Sequence, residues 1–199
     1  MTTRGLGLGL VLLTACGVAA EPSQGAEIAI YSFEESVEGW AVPEWAKTSS
    51  DYVARDLSVS DEVALEGGHA LEFWSDFPGG RWAGAYIERT LDVNDWTSFG
   101  RLLVSVYLPA TAPAGLKGRI ILTVGDEWQW TEMNRGVALA PGTWTTITAN
   151  LTPASMDWKF FPDEQFRKHV DKLGVRIESE ATGPVYSGPI FVDHIRLAE

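Results

Sequence analysis

The sequence predicts an all-β protein, a jelly-roll β-sandwich with one short helix, and three observations carry that prediction. Segments rich in β-branched and aromatic residues recur along the chain, several of them alternate, and Gly- and Pro-bearing turns separate them. The candidate strands are EIAIYSFE, DYVARDLSVS, HALEFWSD, AYIERTLDV, GRLLVSVYLP, GRIILTVGDEWQW, TWTTITANL, LGVRIESE and PIFVDHIRL. In GRLLVSVYLP, Leu102, Val104, Val106 and Leu108 fall on one face, as a strand with one buried side requires. Turn chemistry stands at Glu66-Gly67-Gly68, Pro78-Gly79-Gly80, Pro109 to Gly115, and Pro141-Gly142. Many short strands at this spacing build a sandwich or jelly roll.

FPDEQFRKHVDKLG predicts the helix. Pro162 suits the first helical position, while Asp163 and Glu164 oppose the dipole at the N-terminal end. Lys168, His169 and Lys172 suit the other end, and Gly174 terminates it. Phe166, Val170 and Leu173 form its apolar face, so the helix is expected to cap the sandwich.

Ahead of the strands, MTTRGLGLGLVLLTAC has the layout of a secretory signal: Arg4, an apolar run Leu6–Leu13, then Thr14, Ala15 and Cys16. The apolar run is too short to span a bilayer. Leu13-Thr14-Ala15-Cys16 resembles the bacterial lipobox, whose cysteine is lipidated, and Cys16 is the sole cysteine. Residues 1–15 are therefore expected to be a signal peptide and 16–25, ending in GVAAEPSQG, a lipidated cysteine with a flexible tether. Residues 26–199 form the folded domain. The protein is expected to be an exported lipoprotein anchored to a membrane, facing the periplasm or the cell surface.

A net charge of −12 excludes nucleic acid, since no basic stripe is present to neutralise phosphates, and it favours neutral ligands. His69, His169 and His194 are far apart and lack metal-ligand spacing; no G-x-S-x-G elbow is present. Glu72, Glu88, Asp126 and Glu132 could supply a glycosidase carboxylate pair, but acidic residues are abundant and solvated carboxylates are the simpler reading.

Nine tryptophans are the sharper signal. Flat, rigid indoles stack on the C–H faces of sugar rings at small entropic cost. Trp74, Trp82, Tyr86, Tyr107, Trp128, Trp130 and Trp158 fall on or beside strands, whereas Trp40 and Trp144 read as core anchors. In GDEWQWTEMNRG, Trp128 and Trp130 share the parity of Ile120, Leu122 and Val124, so one regular strand would bury both. Gly125 is expected to act as a bulge that turns the rings outward. Asp126, Gln129, Glu132 and Asn134 could then bond sugar hydroxyls.

The order of motifs resembles the galactose-binding-like β-jelly-roll carbohydrate-binding modules. YSFEES, VEGW, ALEGGHALEF, LLVSVYLP, PGTWTTITANL, LGVRIES and GPIFVDHIRL carry the resemblance across nearly all of residues 26–199. It implies a glycan groove on the concave sheet, with Trp128, Trp130 and Glu132 central and Trp74, Trp82 and Tyr86 assisting. It also implies a structural calcium ion held by Glu34 and Asp193, with backbone carbonyls near Gly67 to His69 completing the oxygen shell. The expected function is non-catalytic binding of a neutral polysaccharide or oligosaccharide. The alternatives are a small jelly-roll glycoside hydrolase or polysaccharide lyase, and a structural or adhesion scaffold without sugar affinity.

Overall fold

The computed structural model describes residues 26–160 and 162–199. The expected signal peptide, Cys16 and the tether lie outside the described residues. Among the described residues no helix is long and apolar enough to cross a membrane.

Among the described residues eleven strands and two short helices follow one another: β1 (Glu27–Tyr31), α1 (Glu44–Thr48), β2 (Ala54–Ser60), β3 (Ala70–Pro78), β4 (Ala83–Thr90), β5 (Arg101–Tyr107), β6 (Lys117–Val124), β7 (Gln129–Glu132), β8 (Val137–Ala138), β9 (Trp144–Asn150), α2 (Glu164–Lys168), β10 (Val170–Ser179) and β11 (Val185–Ala198). One sheet runs β2-β3-β11-β5-β9, with β1 also on β11; the other runs β4-β10-β6-β7, with β8 also on β6. All strand pairs are antiparallel. The two sheets close on one core, as a sandwich must.

Alternation decides what enters that core. Leu102, Val104, Val106 and Leu108 are all buried, facing Ile120, Leu122 and Val124 from β6 and Leu173, Val175 and Ile177 from β10. Apolar burial on this scale drives the collapse at about 25 cal/mol per Å². Polar partners on the same strands are left to the two outer faces.

The helix prediction is corrected at both ends, since Pro162, expected at the first helical position, precedes the cap and the second half is strand. Asp163 caps α2 by accepting a hydrogen bond from the Phe166 amide at 2.7 Å, and Phe166 is buried. The helix ends at Lys168, and Val170 begins β10, which pairs with both β4 and β6. Val170 and Leu173 satisfy helical spacing, but Leu173, Val175 and Ile177 also satisfy alternation. A central strand with two hydrogen-bonded neighbours outweighs a weak helix propensity. The sequence reading also missed α1.

Gly174 therefore lies inside β10 and ends no helix. A Cβ there would meet the Tyr86 hydroxyl oxygen at 2.4 Å and ring carbons at 2.5 Å and 2.7 Å. Replacing Gly174 by alanine is expected to cost about 1–3 kcal/mol through overpacking, read as a lowered melting temperature.

Candidate aromatic binding face

The outer face of the five-stranded sheet carries the largest aromatic cluster. Tyr86 of β4 is buried as its floor, and Arg176 of β10 is its register partner. Because Gly174 has no side chain, the Tyr86 ring lies across β10 towards β7, where Trp130 sits 5.5 Å away between centroids. Trp45, on α1, approaches Tyr86 at 5.3 Å and Trp130 at 6.1 Å. Tyr52 joins Trp45 at 4.8 Å and Trp82 at 5.8 Å, both edge-on. Trp45 and Tyr52 reach this face because residues 41–53 run along the free edge of β4, where Ala41 bridges Glu88 and Tyr52 bridges Gly84. Trp45 is 43% exposed and Trp130 38%, so two indoles stand half out of a packed aromatic bed.

Beneath and beside the rings lies a paired charge network. Arg176 binds Glu132 at 2.7 Å and Glu178 at 2.9 Å, and its guanidinium carbon is 5.6 Å from the Trp82 ring centre. Arg119 holds the other oxygen of Glu178 at 2.6 Å, and Lys159 pairs with Glu132. Burial alone would raise the Glu132 carboxyl, but the cations of Lys159 and Arg176 outweigh it and hold the group below the usual carboxylate range. Arg176 is buried too, which works against its charge, and its two carboxylate partners more than compensate. Glu88 accepts from the Tyr86 hydroxyl at 2.9 Å and from Lys172 at 2.8 Å. Burial comes first among the causes that push the Tyr86 hydroxyl well above its ordinary range, followed by the Glu88 charge. It therefore remains a hydrogen-bond donor at neutral pH.

The expected bulge at Gly125 is replaced by a hairpin. β6 stops at Val124, residues 125–128 reverse the chain, and β7 returns with Trp130 opposite Thr123. Gly125 takes φ 73° and Trp128 φ 55°, and the Trp128 amide closes the turn on the Gly125 carbonyl at 3.1 Å. Both rings end outside the core, Trp128 at 61% exposure, because reversal resets the parity that a continuous strand would impose. Trp128 stands at the turn with the Lys172 ammonium 5.9 Å from its ring centre.

Other sequence candidates scatter. Trp74 sits on the outer face of the six-stranded sheet, its indole N–H bonded to Asp76 at 3.2 Å, away from the cluster. Trp144, read as a core anchor, also faces outward on that sheet, 5.4 Å from Tyr107; Trp40 and Trp158 are fully packed. Of the four carboxylates weighed for catalysis, Glu88 and Glu132 share the aromatic face, Asp126 lies in the hairpin turn and Glu72 belongs to the other sheet. Trp45, Tyr52 and Arg176 were missed. Trp45 follows Pro43-Glu44, a helix-start signal that was available in the sequence.

Glu34 and Asp193 line one cavity of about 490 Å³ with Glu27, Ser32 and Glu66. Burial pushes the Asp193 carboxyl up to about 6, opposed by the Leu65 and His194 amides and assisted by the charge of Glu34. That mutual repulsion suits a cation. The expected carbonyl shell is not what faces the pair: the amides of Leu65 and Glu66 donate to Asp193 at 2.8 Å and 3.1 Å, and that of Gly68 to Glu34 at 3.0 Å. Among the described residues no group of three His, Cys, Asp or Glu side chains is placed to hold a metal.

No protein-family model and no curated protein matches the sequence. Among solved structures, a family 28 module specific for non-crystalline cellulose is similar at TM-score 0.63 and 13% identity, covering 88% of this chain and 96% of that one. The CBM27-1 module of Caldicellulosiruptor saccharolyticus, solved with mannohexaose, matches at 0.58 and 18%, covering 87% and 97%. A study of promiscuous specificity in β-sandwich carbohydrate-binding modules supplies a third, at 0.60 and 16%; 89% of this chain covers 64% of that one. An exo-β-agarase also matches, over 24% of its own length. At such identities the likeness concerns architecture: the chain has the jelly-roll β-sandwich fold on which these carbohydrate-binding modules are built.

Proposed function

We propose that the chain is a non-catalytic glycan-binding domain carried by an exported lipoprotein. The observation that carries this reading is the half-exposed pair Trp45 and Trp130, bedded on Tyr86 beside a charge network whose members are mutually paired. A neutral polysaccharide or oligosaccharide would stack on the indoles and bond its hydroxyls to Glu132, Glu178 and Arg176. Three cations (Arg176, Arg119 and Lys159) share two carboxylates (Glu132 and Glu178), so the network offers both donors and acceptors for hydroxyls. A glycosidase acid needs a raised carboxyl, whereas Glu132 is lowered by Lys159 and Arg176, so hydrolysis gains no support at this face.

The binding reading is tested by retention of the chain on immobilised neutral glucans, mannans and xylans in affinity gels. Retardation by at least one supports it, and unretarded migration on all would overturn it. Anchoring through Cys16 rests on the lipobox resemblance and is tested by fatty-acid labelling, which Cys16→Ser should abolish.

Glu34 and Asp193 would hold a calcium ion, on the strength of their two carboxylates lining one cavity in which Arg196 and His194 are paired with Glu27 and Glu66. Calcium is expected to raise the melting temperature relative to a chelator, and Asp193→Asn to remove that difference. An unchanged melting curve in the parent would exclude the ion.

A further inference from the structure

The hairpin that carries Trp128 and Trp130 is pinned at three points. The Gly125 amide donates to the His169 carbonyl at 2.8 Å, Lys172 lies over the Trp128 ring, and the His169 side chain reaches Asp126 in the turn. The third contact has an unusual partner set. His169 Nδ1 lies 2.7 Å from an oxygen of Asp126, and Nε2 lies 3.0 Å from an oxygen of Asp171. A neutral imidazole has one N–H and one lone pair, so one of these contacts would set a lone pair against a carboxylate. Only the imidazolium is attracted to both, through a hydrogen bond to Asp126 and an ion pair with Asp171.

The two carboxylates are not equivalent. The Asp126 side chain is 79% exposed and can be solvated, whereas that of Asp171 is 14% exposed and its second oxygen is buried without a partner. When one proton remains on the ring, Asp171 has the stronger claim to it, since a buried acceptor left unpaired costs more than an exposed one. The bond that is released is the one to the hairpin.

We propose that His169 is a positioning residue for the tryptophan hairpin, fixing its turn as an imidazolium between Asp126 and Asp171 and releasing it on deprotonation. Glu127 lies in the same turn and Glu164 and Lys168 on α2, and three other charged groups of the surrounding elements are engaged elsewhere. Lys172 is on Glu88, Arg167 on the carbonyls of Thr97 and Phe99, and Asp163 on the Phe166 amide. The hairpin is then ordered while the ring carries both protons and loosens when it carries one. For ligand capture the claim rests on the glycan reading above; for hairpin order it does not.

The test separates the two. Backbone relaxation of residues 125–130 and of the Trp128 indole N–H is recorded by NMR at pH 5.5 and 8.0, for the full chain and for His169→Gln and Asp126→Asn. Asp126→Asn alters an exposed turn and serves should His169→Gln fail to fold. The parent is expected to gain mobility in the turn at pH 8.0, with both variants mobile at either pH. Equal order at both pH values in the parent, or a pH response that survives in the variants, would overturn the proposal. In parallel, retention on the retarding glycan should fall roughly two- to fivefold between these pH values in the parent alone, the size of one exposed ion pair. A pH-dependent turn in a chain that no glycan retards removes the ligand and leaves the latch.

Discussion

Replacing Trp45 and Trp130 together by alanine is expected to cut glycan affinity by about 30-fold or more, since truncating a stacking tryptophan at a binding hot spot costs about 2 kcal/mol. The two rings are 43% and 38% exposed, so more than half of each is packed on Tyr86 and its neighbours; the melting temperature should also fall, and retention is measured well below it. Trp74→Ala supplies the control. It is 41% exposed, but it stands on the other sheet and should leave retention unchanged. Affinity electrophoresis and calorimetry on the same glycan check both. Loss of retention in Trp74→Ala with none in the double variant would move the site to the six-stranded sheet.

Arg176→Met is expected to destabilise the domain by about 3 kcal/mol, the low end for breaking a buried ion pair. The low end is chosen because each orphaned carboxylate keeps one partner: Glu178 retains Arg119, and Glu132 retains the half-exposed Lys159. For a domain of this size that corresponds to a melting temperature lower by roughly 6–12 °C. Adding Glu132→Gln should recover part of the loss, because Glu132 is left with only the half-exposed Lys159, whereas Glu178 stays paired with Arg119. The acid side carries the same signature. The folded-state carboxyl of Glu132 is lowered by Lys159 and Arg176 against the effect of burial. Its stabilising contribution is therefore present above the unfolded carboxyl titration near pH 4.3 and lost as pH falls through the lower folded value. Urea titrations between pH 3 and 7 should show the parent converging on Glu132→Gln at the acid end. Parallel curves over the whole range would mean that the ion pairs contribute nothing to stability.

Much of this architecture was legible because strand periodicity is local. Leu102 to Leu108 could be assigned to one face from four alternating residues, and the structure buries all four. The turns at Gly67, Gly79 and Gly142 were legible for a related reason, since each adopts the positive φ that glycine tolerates best. Helix α2 was half legible: it starts two residues later than the expected Pro162, with Asp163 as its cap, and residues 170–174 satisfy two periods at once. Only pairing with β4 and β6 chooses between them.

The aromatic face was legible as composition, not as a place. Trp82, Tyr86, Trp130 and Glu132 could be nominated from the sequence, and they do meet, but Trp74 was nominated by the same reasoning and lies on the opposite side of the sandwich. Trp45 and Tyr52 lie outside the sheet's strands, and their arrival depends on a chain segment following the free edge of β4. Sequence alone determined that this chain would be an acidic, tryptophan-rich sandwich. Tertiary structure decided which tryptophans share a face, because that depends on strand order, on the reversal after Val124, and on the Tyr86 ring filling the space above Gly174. The reversal is a local turn and the other two join residues far apart in the chain, and no periodicity encodes any of them.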